Sequence, residues 1–144
     1  MKRSFHALVI GILPIGLPAS AQQVETAVAT VAPSPATGKI VLYRGSSVFG
    51  AAVACPIRFK GQELVELGRR KYAEWTVPSG RYNLNNKVSS VDVVVSPGET
   101  SYVRCQIKAG ILAGGANLQI VDKESFDAHR ADFERKDVAF ADTN

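Results

Sequence analysis

Between Gly38 and Asp122, apolar and polar residues alternate in short runs broken by turn residues, the pattern of strands with one buried face. GKIVLYR opens the series, followed by a Gly-Ser loop over 45–50, ACPIRF and, after Lys60-Gly61-Gln62, ELVEL. Gly68-Arg69-Arg70 turns into KYAEWTV and Pro78-Ser79-Gly80 into RYNLNNK. SVDVVV ends at Ser96-Pro97-Gly98-Glu99, TSYVRCQI follows, and a glycine-rich loop (Gly110, Gly114, Gly115) leads to NLQIV. Short strands with no long helix between them predict an all-β fold, an antiparallel β-sandwich of about seven or eight strands.

Alternation also assigns faces. Ala73, Trp75 and Val77 share one side, opposite Tyr72, Glu74 and Thr76; Val103, Cys105 and Ile107 oppose Arg104, Gln106 and Lys108. Cys55, Ile57 and Phe59 share a face, opposite Pro56 and Arg58. The faces of mixed polarity are expected to look outward. Phe59, Trp75, Tyr82 and Leu84 are the expected core anchors, and Pro56 confines its strand to an edge or a bulge. Arg69-Arg70-Lys71, the one basic run, reads as a solvated hairpin tip.

After Asp122 the period changes. Asp122 can cap a helix, and Phe126, Phe133 and Phe140 recur every seven residues, a narrow apolar stripe on an otherwise charged segment. Residues 123–144 are therefore expected to form a short acidic helical tail packed on the sandwich, with a partner-binding helix as the alternative. The body over 37–121 is basic and the tail acidic, so the tail could fold back by charge, although exposed pairs contribute little individually.

The front of the chain carries an address. Lys2 and Arg3 precede an apolar run over Ala7–Leu17, and Ala19-Ser20-Ala21 is a small-residue cleavage site, so residues 1–21 read as a signal peptide cut between Ala21 and Gln22. The apolar run is about half the roughly 20 residues a spanning helix needs, which argues against stable membrane insertion after cleavage. Residues 22–37 (QQVETAVATVAPSPAT) read as a flexible Ala/Thr/Pro linker, and 38–122 as the sandwich domain. A 144-residue chain with 21% charged residues and a formal charge of +4 fits one domain. Losing Lys2 and Arg3 brings that charge closer to neutral, so no nucleic-acid partner is expected.

Export changes the meaning of the two cysteines. Both fall on predicted inward faces, and an oxidising compartment favours a Cys55–Cys105 disulfide over two buried free thiols. Catalytic groups are scarce. His129 is the single histidine left after cleavage, and no carboxylate spacing suggests a pair. One His and two bonded Cys cannot furnish a metal centre. KAGILAGGAN lacks the grammar of a phosphate loop. The expectation is no catalytic residue, no metal site and no cofactor.

The turn Pro78-Ser79-Gly80-Arg81-Tyr82-Asn83-Leu84 resembles the one shared by transthyretin-like and carboxypeptidase-regulatory-like sandwiches. The wider order (GKIVLYR, FKGQELVEL, YAEWTVPSGRYNL, VSPGETSYVRCQIKAG, LQIVD) is similar to the bacterial exported family called domain of unknown function 2846, over about residues 37–125. The resemblance implies a small exported protein of the cell envelope. Members are often lipid-anchored, whereas this chain has no Cys at the cleavage site, and the resemblance carries over no catalytic residues. The expected function is a non-catalytic periplasmic or secreted module that binds an envelope protein or has a structural accessory role. A small-ligand or glycan binder is the alternative; for a glycan, Tyr43, Tyr72 and Tyr102 would have to cluster outward. A hydrolase would need His129 and a Ser or carboxylate in one cleft.

Overall fold

A computed structural model describes residues 36–48, 50–108 and 115–140. The signal peptide, the Ala21/Gln22 cleavage site, the linker up to Pro35 and the glycine-rich loop over 109–114 lie outside the described residues. The strands are β1 (Thr37–Arg44), β2 (Cys55–Phe59), β3 (Gln62–Leu67), β4 (Lys71–Pro78), β5 (Gly80–Asn85), β6 (Ser90–Val95), β7 (Thr100–Lys108), β8 (Gly115–Val121) and the two-residue β9 (Glu134–Arg135). They form a five-stranded sheet ordered β8-β7-β1-β4-β9 and a four-stranded sheet ordered β3-β2-β5-β6. The all-β sandwich is as the periodicity predicts, with one refinement. The five-stranded sheet is mixed: β1 runs parallel to β7, and β4 parallel to β9.

Turn chemistry explains the local order. Lys60 and Gly61 both have positive φ, 49° and 81°, which makes the two-residue hairpin between β2 and β3 a left-handed turn whose twist matches the strands. Pro56 sits in an interior strand, and the expected bulge follows it, between Ile57 and Arg58. Gly38 is fixed by crowding: a Cβ there would stand 2.4 Å from the Val95 side chain and 2.7 Å from the Ser96 carbonyl.

Two predicted features are corrected. Arg69-Arg70-Lys71 is not a hairpin tip, because β3 and β4 belong to different sheets; the run crosses between them, with Arg70 at φ 59°. Nor does the tail helix reach Phe140. Helix α1 spans only Lys123–Asp127, a single 3₁₀ turn follows at Arg130–Asp132, and Phe133 is already extended. A five-residue helix gains little by propagation. The uncovered backbone of β4 offers hydrogen bonds instead: Glu134 N–H donates to Arg70 O at 2.9 Å and Lys136 N–H to Tyr72 O at 2.7 Å. Further on, Ala139 N–H donates to Leu64 O in β3 at 2.8 Å. The tail therefore straps the edges of both sheets together.

The core lies between the sheets. Phe59, Trp75, Tyr82 and Leu84 are all buried in it, as the sequence predicts. The Phe59 ring stands 5.1 Å from Trp75 and 5.6 Å from Tyr82. The Tyr82 hydroxyl donates to Pro78 O at 2.6 Å, which gives the Pro78-x-Gly80-x-Tyr82 turn a physical role. It pins the corner where the chain leaves β4 and enters β5 in the other sheet. Cys55 in β2 and Cys105 in β7 are bonded, so the disulfide staples one sheet to the other across the core.

The tail packs on the sandwich as expected and builds a second apolar cluster there. Val41, Tyr43 and Tyr72 on the outer face of the five-stranded sheet are buried with Phe126 and Phe133. The outer face of β4, predicted to look into solvent, is thus covered at Tyr72 by the tail.

Candidate functional site

The three tyrosines do gather on one face. Tyr43 and Tyr72 are directly paired across β1 and β4, and Tyr102 stands opposite Val41 on β7. Their rings are nevertheless taken by the tail. Phe126 lies 5.2 Å from Tyr43, 5.7 Å from Tyr72 and 5.6 Å from Tyr102, and Phe133 stacks on Phe126 at 5.6 Å. Arg130 completes the cover, its guanidinium 4.2 Å from the Tyr72 ring centre and donating to the Tyr72 hydroxyl at 2.6 Å. A sugar platform needs open ring faces, and two of these three rings are buried.

Where β1 ends at Arg44, the chain leaves the sheet and uncovers the middle of β7. A cavity of about 200 Å³ opens there, between the start of the 45–54 loop, β7 and the α1 segment. Tyr43, Ser46, Ser47, Arg104, Ser125 and His129 line it, with Arg44 at its inner wall. Among the described residues no carboxylate does. The sequence names Arg104 as an outward residue and His129 as a helix residue. What it misses is that the tail folds back far enough to bring His129 and Ser125 over the end of β1.

Arg44 is 3% exposed. Its guanidinium donates to Gly50 O at 2.6 Å, to Leu67 O at 3.4 Å and to Val53 O. Burial lowers its pKa, with the Arg69 charge adding to the effect. Among the described residues no acidic side chain forms an ion pair with Arg44 or with Arg104. The Tyr43 hydroxyl is buried and has no hydrogen-bond partner there. Burial pushes its pKa up, the neighbouring Arg104 guanidinium opposes that rise, and the Asp122 charge adds to it.

His129 and three serines share this cavity, which is the juxtaposition a hydrolase would need. Among the described residues no hydrogen bond joins His129 to Ser46, Ser47 or Ser125. No group of three or more His, Cys, Asp or Glu able to hold a metal occurs among the described residues. No helix among them is long and apolar enough to cross a membrane.

The sheet edges divide into guarded and open stretches. On β8, Leu118 N–H donates to Ser89 Oγ at 2.9 Å, and Asn86 Nδ2 donates to Ala116 O at 2.9 Å. The β5–β6 turn thereby fills the place of a neighbouring strand. Among the described residues this guard stops past Leu118, and Ile120 is 53% exposed; Val94 on β6 is 59% exposed. Compared with protein-family models, curated proteins and solved structures, the chain matches none.

Proposed function

We propose that this chain is an exported, non-catalytic β-sandwich module of the cell envelope, periplasmic or secreted, that acts by binding a protein partner. The observation that carries the reading is the asymmetry of the sandwich. One side is strapped by residues 134–140, while among the described residues the other leaves β8 unguarded past Leu118, where Ile120 is exposed; Val94 on β6 is exposed as well. An open strand with exposed aliphatic side chains is a template for strand addition. The Cys55–Cys105 bond fits an oxidising compartment. The signal-like leader points the same way, and the similarity to the exported domain family supports the reading through the order of its turn motifs. Because α1 is docked through Phe126, a free partner-binding helix loses its support.

The test is affinity capture from the envelope fraction with the mature chain and with Ile120→Lys and Val94→Lys variants. A partner held by the wild type and released by Ile120→Lys, with unchanged thermal stability, is the expected result. Capture that survives both substitutions would place the contact elsewhere. A second reading, small-ligand binding, is favoured by the cavity at the end of β1; the glycan form of it lacks support because Tyr43 and Tyr72 are covered.

A further inference from the structure

The cavity at the end of β1 has an unusual electrostatic composition. Arg104 is half-buried and stands beside the Tyr43 hydroxyl, and Arg44 is buried at the inner wall. Neither has an acidic partner among the described residues. Buried charges in proteins are ordinarily paired, since desolvation of a lone ion is costly. Arg44 spends its donors on main-chain carbonyls, which solvate it without cancelling its charge. Among the described residues Arg104 has no such set of carbonyls.

The acidic residues nearest on the covering segment already have partners of their own, although the Asp122 charge still reaches the Tyr43 hydroxyl. Asp122 accepts from Ser125 N–H at 2.8 Å, and Asp127 pairs with Lys123. What lines the cavity is two arginines, an imidazole, three serine hydroxyls, Gln106 and a buried phenol beside Arg104. Every one of these can donate a hydrogen bond to an oxygen. A guanidinium fork with surrounding hydroxyls is the recognition chemistry of carboxylates and phosphates. A volume of about 200 Å³ is well below that of a drug-sized pocket, so the ligand must be small.

We propose that this cavity binds a compact oxyanion, a carboxylate or phosphate group, with Arg104 as its charge partner and Tyr43, Ser46, Ser47 and Ser125 as hydrogen-bond donors. The proposal rests on the small-ligand reading of the cavity and is independent of the strand-edge contact. Nothing in it requires catalysis.

The test is a titration of the mature chain with inorganic phosphate, acetate and, as a neutral probe, glucose, at constant ionic strength, followed by amide NMR. Saturable shifts confined to residues 43–47, 104–107 and 125–129 with phosphate or acetate are expected, and which anion produces them tells phosphate from carboxylate. Arg104→Gln should weaken that binding about tenfold or more, the loss of a hydrogen bond to a charged group. Lys108→Gln, on the same strand but outside the cavity, should leave it unchanged. Equal anion affinity in wild type and Arg104→Gln overturns the proposal. Shifts at these residues with glucose alone overturn the oxyanion and keep the small-ligand reading; no shifts with any probe sink both. Should Arg104→Gln fail to fold, the wild-type contrast between anion and glucose still decides.

Discussion

Phe133 and Phe140 lie seven residues apart and pack on opposite faces of the same sheet. Phe133 sits on the outer face, 5.4 Å from Tyr43, and Phe140 enters the inner core, its ring 6.0 Å from Trp75. Between them the chain passes over the edge of β4, bonding to it through Glu134 and Lys136. The recurrence of Phe that suggests a helical stripe is in fact the spacing needed to wrap a sheet edge.

That wrapping sets the stability of the tail. Phe126 and Phe133 are 5% and 7% exposed, whereas Phe140 is only partly buried. Phe126→Ala and Phe133→Ala should each cost about 3 kcal/mol, at the lower end for a large-to-small core change. Phe140→Ala should cost less. Urea melts in low and high salt check the origin of the effect. The losses should be nearly salt-independent, because the tail's exposed ion pairs, Lys71–Glu134 and Arg135–Glu74, are screened and contribute little.

The disulfide should dominate the rest of the chain's resistance to unfolding. Cys55 and Cys105 are 50 residues apart, and loop-closure entropy for that span gives about 4 kcal/mol, less any strain. Non-reduced mature protein unfolded in guanidinium should show no titratable thiol. The Cys55→Ala/Cys105→Ala double variant should melt at clearly lower denaturant. Two reactive thiols in exported protein would refute the pairing.

How far these features were legible in the sequence depends on the range over which each is decided. Strand alternation in KYAEWTV and TSYVRCQI is local, and it placed Trp75, Val103 and Cys105 inward correctly. The turn at Lys60-Gly61 is equally local. The parallel insertion of β1 between β4 and β7 is decided by distant pairings that leave no periodic trace. The cover over Tyr43 and Tyr72 and the gathering of Arg104, Ser125 and His129 depend on where the tail returns, more than eighty residues after β1 begins. Asp122 as a helix cap was readable, and so was Phe126 as an apolar contact. The end of the helix at Asp127 was not, because the competing attraction was an unpaired edge in another part of the chain.

Arg44 should behave as a structural clamp. It ties the carbonyls of Gly50 and Val53 in the 45–54 loop and that of Leu67 at the end of β3 to the end of β1. Arg44→Met keeps the apolar stem but leaves these carbonyls without their donor, which should cost about 2–3 kcal/mol. Amide hydrogen exchange over residues 45–54 should accelerate in the variant. Wild-type protection of the loop in Arg44→Met would show that it is held by other contacts.

The β8 edge provides a separate test of what its guarded stretch does. Ser89→Ala removes the acceptor for Leu118 N–H and should cost about 1 kcal/mol. Exchange at Leu118 should rise while that of Val103 in the adjacent interior strand stays fixed. Greater self-association of the variant is expected, since the exposed donor is then available to another chain.

The pH dependence of α1 follows from two opposite shifts. The Ser125 hydrogen bonds hold the Asp122 carboxyl below its ordinary value of 3.8, and the Asp127 carboxylate holds Lys123 above 10.5. A depressed carboxyl contributes stability above its unfolded pKa and loses that contribution as pH falls through the folded one; a raised ammonium contributes below its unfolded pKa and loses that contribution as pH rises through the folded one. The segment should therefore be firmest across the neutral range and loosen at both extremes. Phe126 reports it, because its ring is the one α1 side chain in the outer cluster. Its ring shifts should hold steady near neutrality and drift only modestly below pH about 4 and above about 10, near the two unfolded pKa values, because both groups are exposed and screened. In Asp122→Ala the acid-side transition should disappear and the alkaline one remain. An acid transition that persists in that variant would assign it to other carboxylates and remove Asp122 from the account.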